Sequence, residues 1–294
     1  MTRIRKAVIP AAGWGTRFLP TTKAIPKELL PLIDRPVIHY SVEEAVASGI
    51  EQVVVITSPG KEATEGYFSP SPELERYLKE KGKSELLEDI RRISAMAEMR
   101  YVVQEEQLGL GHAVLTAAEA VGQEPFAVLL PDDIIEAERP VLGQMIHLFE
   151  RHKASILAVE KVAREQVPGY GIIEPEEVAS GLYRVHGLVE KPQPDEAPSD
   201  LGIVGRYILT PAIFDALRAT RPGALGEIQV TDGIANLLKK EPVYAYEFQG
   251  VRHDVGTPLG LIKASVAMAL GRKDIGPELR RYLSRITEDK ATDH

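Results

Sequence analysis

The chain has 294 residues, of which 44% are hydrophobic and 27% charged. That is enough to bury a large core in one elaborated domain or two small ones, and it excludes a disordered tail or a fibrous repeat as the main form. With 35 Lys and Arg against 43 Asp and Glu the formal charge is -8, which argues against a protein that binds nucleic acid over its whole surface, so any phosphate site must be local.

The charge is unevenly spread. Residues 1–27 carry Arg3, Arg5, Lys6, Arg17, Lys23 and Lys27 and no acid, a local +6, which leaves 29 basic and 43 acidic residues, or -14, in the remainder. A solvated arm is the ordinary use of such a run, but its interleaving with glycine and proline favours a site. The absence of cysteine excludes disulfides and thiolate zinc sites, and the seven histidines are dispersed without metal-ligand spacing. The apolar run Ala7 to Ala12 behind Arg3–Lys6 is too short, and too interrupted by Pro10, for a signal-peptide core. No window reaches the roughly 18 apolar residues of a membrane span, so a soluble, cytoplasmic protein is expected.

In chain order, β-rich runs alternate with longer helical stretches, the pattern of an α/β domain with a mostly parallel sheet. Strands are expected at Lys6 to Ile9, Gln52 to Thr57, Arg100 to Val103, Phe126 to Leu130, Ile156 to Val162 and Val243 to Glu247. A helix from Val37 to Ser48, capped by Gly49, makes the opening a βαβ unit. From Pro72 to Met99 the pattern is helical, with Leu86, Ile90, Ile93 and Ala97 on one face that covers either the sheet or another subunit. The stretch Tyr170 to Pro198 reads as turns and short strands closing over a ligand. The C-terminal part reads as a helix from Leu261 to Leu270 and a second carrying Leu279, Tyr282, Leu283 and Ile286.

The first chemical signal is Ala11-Ala12-Gly13-Trp14-Gly15-Thr16-Arg17, directly after a strand. Small residues there let backbone amides approach a nucleotide. It is neither a dinucleotide fingerprint, since Phe18 replaces the third glycine, nor a Walker loop. Arg17, Lys23 and Lys27 follow, spaced by Pro20 and Pro26 in a restricted loop suited to a triphosphate.

Gly13-x-Gly15-Thr16-Arg17-Phe18-Leu19-Pro20 followed by Thr22-Lys23-Ala24-Ile25-Pro26-Lys27-Glu28-Leu29-Leu30-Pro31 resembles the bacterial UTP-glucose-1-phosphate uridylyltransferases, within the sugar-phosphate nucleotidyltransferases. The resemblance runs to about Leu270. It implies a Rossmann-like three-layer αβα fold with a mixed, mostly parallel central sheet. Residues 1–270 would form the catalytic domain, with a small sugar-binding subdomain at about 165–205, and 271–294 a helical tail. It also implies transfer of a uridylyl group from UTP to glucose 1-phosphate with release of pyrophosphate. Mg²⁺ would be the cofactor, and a homo-oligomer, dimer or tetramer, the assembly.

Ala11, Ala12, Gly13, Gly15 and Thr16 would then line the nucleotide, and Arg17, Lys27 and Lys191 would be catalytic. Gln104 offers both a donor and an acceptor, as a pyrimidine edge needs, and Gly109 opens a helix with free amides. By themselves these could be a surface glutamine and an ordinary turn; by resemblance they match uracil-reading positions. Asp132 and Asp133 end an apolar strand, where open α/β sheets bind ligands and a hard cation is commonly held. The family pattern selects Asp132 as the metal ligand, with Asp254 as a second carboxylate for metal or sugar. Pro258 stands where relatives often have lysine, which leaves a cationic role there vacant. Gly171, Glu190 and Lys191 match sugar positions, Glu190 reading hydroxyls and Lys191 pairing with the sugar phosphate. The stretches Ile203–Tyr207 and Gly226–Asp232 also resemble the uridylyltransferase type and support the family without a catalytic residue; by themselves they read as a buried strand and a capped helix. Two rivals remain: a dTTP-using thymidylyltransferase, since one methyl separates the bases, and a non-catalytic sugar-nucleotide sensor.

Overall fold

The computed structural model describes residues 3–223 and 226–291; residues 292–294 of the expected tail, and 1–2 and 224–225 of the expected main domain, lie outside the described residues. Four parallel strands in the first half form one side of the sheet: β1 (Lys6–Pro10), β4 (Gln52–Thr57), β5 (Glu98–Val103) and β6 (Phe126–Leu129), with the two-residue strands β2 (Pro31–Leu32) and β3 (Arg35–Pro36) forming a small hairpin after β1. The apolar β1, β4 and β6 are buried on both faces, as parallel strands covered by helices must be, while β5 at the edge stays half-exposed. Helices α1 (Val37–Ala47), α2 (Glu62–Phe68), α3 (Pro72–Glu80), α4 (Ser84–Ser94), α5 (Leu110–Thr116) and α6 (Ala118–Val121) connect them.

After β6 come β7 (Asp133–Glu136), α7 (Val141–His152) and β8 (Ser155–Lys161). The hairpin of β9 (Gly171–Ala179) and β10 (Leu182–Glu190) turns through Ser180-Gly181, where Gly181 takes φ 69°, the left-handed geometry that a two-residue hairpin turn requires. The fully buried β11 (Leu201–Leu209), α8 (Ala212–Arg218), α9 (Val230–Leu237), β12 (Val243–Glu247), β13 (Val251–Asp254), α10 (Pro258–Gly271) and α11 (Gly276–Ala291) complete the chain.

Among the described residues, nine strands form one mixed sheet in the order β5-β4-β1-β6-β11-β8-β12-β10-β9. The expected parallel majority is not what forms. The β5–β4, β4–β1, β1–β6 and β8–β12 ladders are parallel, but β11 runs antiparallel to both β6 and β8, and β10 to both β12 and β9. An unbroken apolar run marks a strand as central without encoding its direction.

Side chains alternate across the sheet. Val8 joins Val54, Ile56 and Val128 in one apolar cluster with Val114 of α5, Phe214 of α8 and Ile234 of α9. Ala7 and Ile9 join Val53, Val55 and Leu129 in a second, with Ile38 and Val42 of α1 and Met145 and Phe149 of α7. Apart from Ala7, each of these side chains adds about 1.5–3 kcal/mol of transfer free energy.

Ile93, Met96 and Ala97 pack on the second cluster while Leu86 stays 51% exposed, so only the later part of the expected helical face covers the sheet. The helical reading also ran too far, because β5 begins at Glu98. Tyr170–Pro198 holds two nine-residue strands continuous with the main sheet, longer than the short strands expected there. Pro258 takes the first turn of α10 behind Thr257, whose hydroxyl accepts from the Gly260 amide at 3.0 Å; this is where proline costs no helical hydrogen bond.

Candidate active site

The C-terminal ends of the adjacent parallel strands β1 and β6 open into a cavity of about 870 Å³. The glycine turn forms one wall. Gly15 has φ 65°, and a Cβ there would stand 2.8 Å from Cβ of Lys27, so only glycine lets the Lys27 segment pack against the turn. The Thr22 hydroxyl donates to the Gly15 carbonyl at 2.8 Å and closes the loop. Ala12, Gly13, Gly15, Thr16, Arg17 and Lys27 all line the cavity. Ala11 does not; it is fully buried, its amide donates to the Ile56 carbonyl, and its own carbonyl accepts from Lys61. Lys23 is exposed outside the lining, so two of the three expected loop cations reach the site.

On the opposite wall Asp132 follows β6. A two-stranded sheet of β7 and β13 places Asp133 opposite Asp254 across more than a hundred residues, and the Val255 amide donates to the Asp132 carbonyl at 2.8 Å. Both Asp132 and Asp254 therefore face Gly256. A Cβ on Gly256 would lie 3.0 Å from Asp254 Oδ1 and 3.3 Å from Asp132 Oδ2, a small cradle between two carboxylate oxygens that only glycine leaves free. Lys27 Nζ donates to Asp132 Oδ2 at 2.9 Å. Burial opposes ionisation of Asp132, but Lys27, with help from Arg17, holds its carboxyl below the usual value.

Asp133 has a different task. It is buried, and its carboxylate accepts from Arg252 Nε at 2.5 Å and from the Gly205 amide at 2.8 Å. Burial pushes its carboxyl up, against the pull of Arg252. Arg252 also donates to Glu160 at 2.5 Å and to the Tyr170 hydroxyl at 3.0 Å. Nothing in the local sequence marked Arg252, because its partners come from three distant elements. Arg206, 1% exposed on β11, donates to the carbonyls of Leu130 and Asp133 and pairs with Glu44 of α1 at 2.7 Å, fixing the turn that carries Asp132.

The third wall is the β9–β10 hairpin. Gly171 and Glu190 are paired residues, and a Cβ on Gly171 would meet Thr231 Oγ1 at 3.0 Å and Glu190 Oε2 at 3.2 Å, so glycine keeps both polar groups accessible. Lys191 leaves β10 with φ 47°, a left-handed conformation that costs a lysine about 1–2 kcal/mol, and its amide donates to the Tyr170 carbonyl at 2.9 Å. Its ammonium sits 3.3 Å from Glu190. At the far end, Gln104 and Gly109 line the cavity. Glu227, Gln229, Thr231 and Tyr207 also line it, from the two stretches that support the family resemblance without a site role assigned to any of their residues.

A description of the family "Nucleotidyl transferase" matches residues 6–270. The chain belongs to the nucleotidyl transferase family. It is 49% identical to a UTP–glucose-1-phosphate uridylyltransferase of Bacillus subtilis (strain 168), over 96% of this chain and 97% of that one. Among solved structures it is similar to a UDP-glucose pyrophosphorylase complexed with UDP-glucose, with TM-score 0.84, 44% identity and coverage of 92% of this chain and 100% of that one. It is also similar to a UTP-bound UGPase from Acinetobacter baumannii, with TM-score 0.88, 40% identity and coverage of 95% and 98%. As a nucleotidyl transferase, the protein carries the glycine turn, the cations and the carboxylates on three walls of one cavity.

Proposed function

We propose that the protein is a UTP–glucose-1-phosphate uridylyltransferase, making UDP-glucose and pyrophosphate. The observation that carries this reading is one cavity that gathers the glycine turn with Arg17 and Lys27, the Asp132–Asp254 pair, Gln104 with Gly109, and Gly171 with Glu190 and Lys191. Full-length relatives bearing that name, and similar structures holding UTP or UDP-glucose, support it over the thymidylyl and sensor readings.

In this mechanism an oxygen of the sugar phosphate, already ionised at neutral pH, attacks the α-phosphorus of UTP. The bond from that phosphorus to the bridging oxygen breaks, and pyrophosphate leaves with the electron pair. No protein nucleophile is needed, so the residues align the reactants and neutralise charge. Amides of the Ala12–Thr16 turn cradle the triphosphate. Arg17 and Lys27 stabilise the leaving pyrophosphate, and Lys191 holds the sugar phosphate in line. Glu190 accepts hydrogen bonds from sugar hydroxyls beside Gly171, and Gln104 and Gly109 read the uracil edge.

Asp132 and Asp254 fit Mg²⁺. They offer hard oxygen donors around the Gly256 cradle, and among the described residues no group of three or more His, Cys, Asp or Glu could hold a metal ion alone. Two carboxylates are what Mg²⁺ uses when it shares itself with substrate phosphates. When bound there, the ion supplies charge neutralisation to the phosphates.

Further parts of the reading are proposals of the same standing. The two apolar clusters on opposite sheet faces support a three-layer αβα body over residues 1–270. The β9–β10 hairpin supports a sugar-binding role for about 165–205. The exposed apolar side chains Leu259 and Ile262 of α10, together with Tyr282 of α11 in the expected tail, suit a homo-oligomer contact. A cytoplasmic location is proposed with it.

The test is pyrophosphate release from UTP or dTTP against several hexose 1-phosphates, with Mg²⁺ present. Fastest turnover with UTP and glucose 1-phosphate is expected. A preference for dTTP, or no release with any pair, overturns the assignment.

A further inference from the structure

Gln104 presents a problem that its own side chain cannot solve. A carboxamide carries an acceptor and a donor on the same fork, so rotating it by half a turn exchanges them. Uracil offers an imide N–H between two carbonyl acceptors, whereas cytosine offers a bare ring nitrogen beside an amino donor. A free glutamine would read either base by flipping.

The surroundings of Gln104 remove that freedom. Its amide donates to the Thr57 carbonyl at 2.8 Å, which ties its backbone to the end of β4, and the residue is only 3% exposed. Its side-chain Nε2 lies 2.8 Å from Nδ1 of His112, the third residue of α5. The first turn of α5 is itself clamped. The Gly111 amide donates to the Ile228 carbonyl at 2.8 Å, the Ile228 amide donates to the Leu108 carbonyl at 2.7 Å, and a Cβ at Gly109 or Gly111 would stand 2.8 or 2.7 Å from that Ile228 oxygen. His112 therefore projects from a helix end pinned to a second segment of backbone.

We propose that His112 is the positioning residue that sets pyrimidine selectivity: with its ring proton on Nε2, its Nδ1 accepts one N–H of Gln104 and turns Gln104 Oε1 toward the uracil imide N–H. The reading deepens the proposed function and rests on Gln104 facing the base. It assigns a role to a residue that is not part of the cavity lining. With Nε2 committed to His112, a cytosine ring nitrogen meets the Oε1 acceptor and is rejected.

The experiment is equilibrium binding of UTP and of CTP, each with Mg²⁺, by calorimetry, with pyrophosphate release measured alongside. The proteins are the wild type, His112→Leu, His112→Asn, Gln104→Ala and the Gln104→Ala/His112→Leu double variant. Asn keeps an oxygen at the place of Nδ1, and Leu removes it. The UTP-to-CTP affinity ratio is expected to fall about tenfold or more in His112→Leu, the scale of one misplaced hydrogen bond. It should be largely kept in His112→Asn and be unaffected by His112→Leu once Gln104 is alanine.

Equal weakening of UTP and CTP in His112→Leu, a fall of the ratio by the same factor in the Gln104→Ala background, or a wild type that does not discriminate would overturn the proposal. A merely structural role predicts the first of these. The function stands or falls separately: a wild type that binds UTP selectively but releases no pyrophosphate contradicts the uridylyltransferase reading while still reporting on His112.

Discussion

Lys61 and Glu28 form a buried ion pair, Nζ to Oε2 at 3.0 Å, beneath the glycine turn. The same ammonium donates to the carbonyls of Ala11 and Gly13 at 2.5 and 2.8 Å, and Thr64 donates to Glu28 at 3.1 Å. One cation thus joins the turn to the segment that carries Lys27. Burial pulls the Lys61 amine below its ordinary value, and Glu28 opposes that pull. Lys61→Met is expected to strand the Glu28 carboxylate and cost about 3–5 kcal/mol in urea unfolding. Lys61→Met with Glu28→Gln should cost less than the sum of the two single changes, and strict additivity would contradict the coupling.

The Asp132–Lys27 pair has a signature in pH. The folded-state pKa of Asp132 is lowered from 3.8, so its contribution to stability is fully present above that value and is lost as pH falls through the lowered one. Lys27→Met removes the largest influence opposing burial and leaves only a backbone hydrogen bond and Arg17. The lowering should shrink, so that the variant loses less stability than the wild type as pH falls from 7 to 3. Thermal unfolding of both proteins between pH 3 and 7 measures this, and parallel profiles would rule out the pairing.

Arg17 is exposed at the mouth of the cavity. Arg17→Ala should lower kcat by roughly 10²-fold with little change in the KM for glucose 1-phosphate, the pattern of a lost transition-state charge contact. An unchanged kcat would remove Arg17 from the mechanism.

Asp132→Asn and Asp254→Asn each take a charged donor from the Gly256 cradle. Both variants should need more Mg²⁺ for half-maximal activity, on the order of tenfold or more, because a neutral amide is a weaker ligand for a hard cation. Full activity of Asp132→Asn at the wild-type Mg²⁺ requirement would move the metal elsewhere.

Gly109 combines φ 96° with a backbone oxygen 2.8 Å from where a Cβ would stand. Gly109→Ala cannot be relieved by a side-chain rotation, so it should displace the Ile228 segment and raise the KM for UTP several-fold more than that for glucose 1-phosphate. Crystals of the variant would show the displacement directly.

The sequence made the glycine turn, the opening βαβ unit and the start of α5 legible because each is written in neighbouring residues. The Asp132–Asp254 meeting is of another kind. It depends on β7 and β13, two four-residue strands whose pairing partner is the only thing that makes them strands. Lys61 follows Pro59-Gly60 and looks like a solvated turn lysine, and only tertiary burial reveals it. Likewise the direction of β11, which decides how the two halves of the sheet meet, is set by its neighbours and not by its own apolar run.

The placement of β11 has a consequence for synthesis. The block β5-β4-β1-β6 can assemble once residue 129 has emerged, but the strand that covers the free side of β6 begins at Leu201. Its residues that pair with β6 are Arg206 to Leu209, and at ~5–20 residues per second the stretch 130–209 takes about 4–16 s to translate. Throughout that interval a buried, uncharged strand, Phe126 to Leu129, presents an open edge to every other nascent copy. Yield on expression should therefore depend on how fast ribosomes cross residues 130–209.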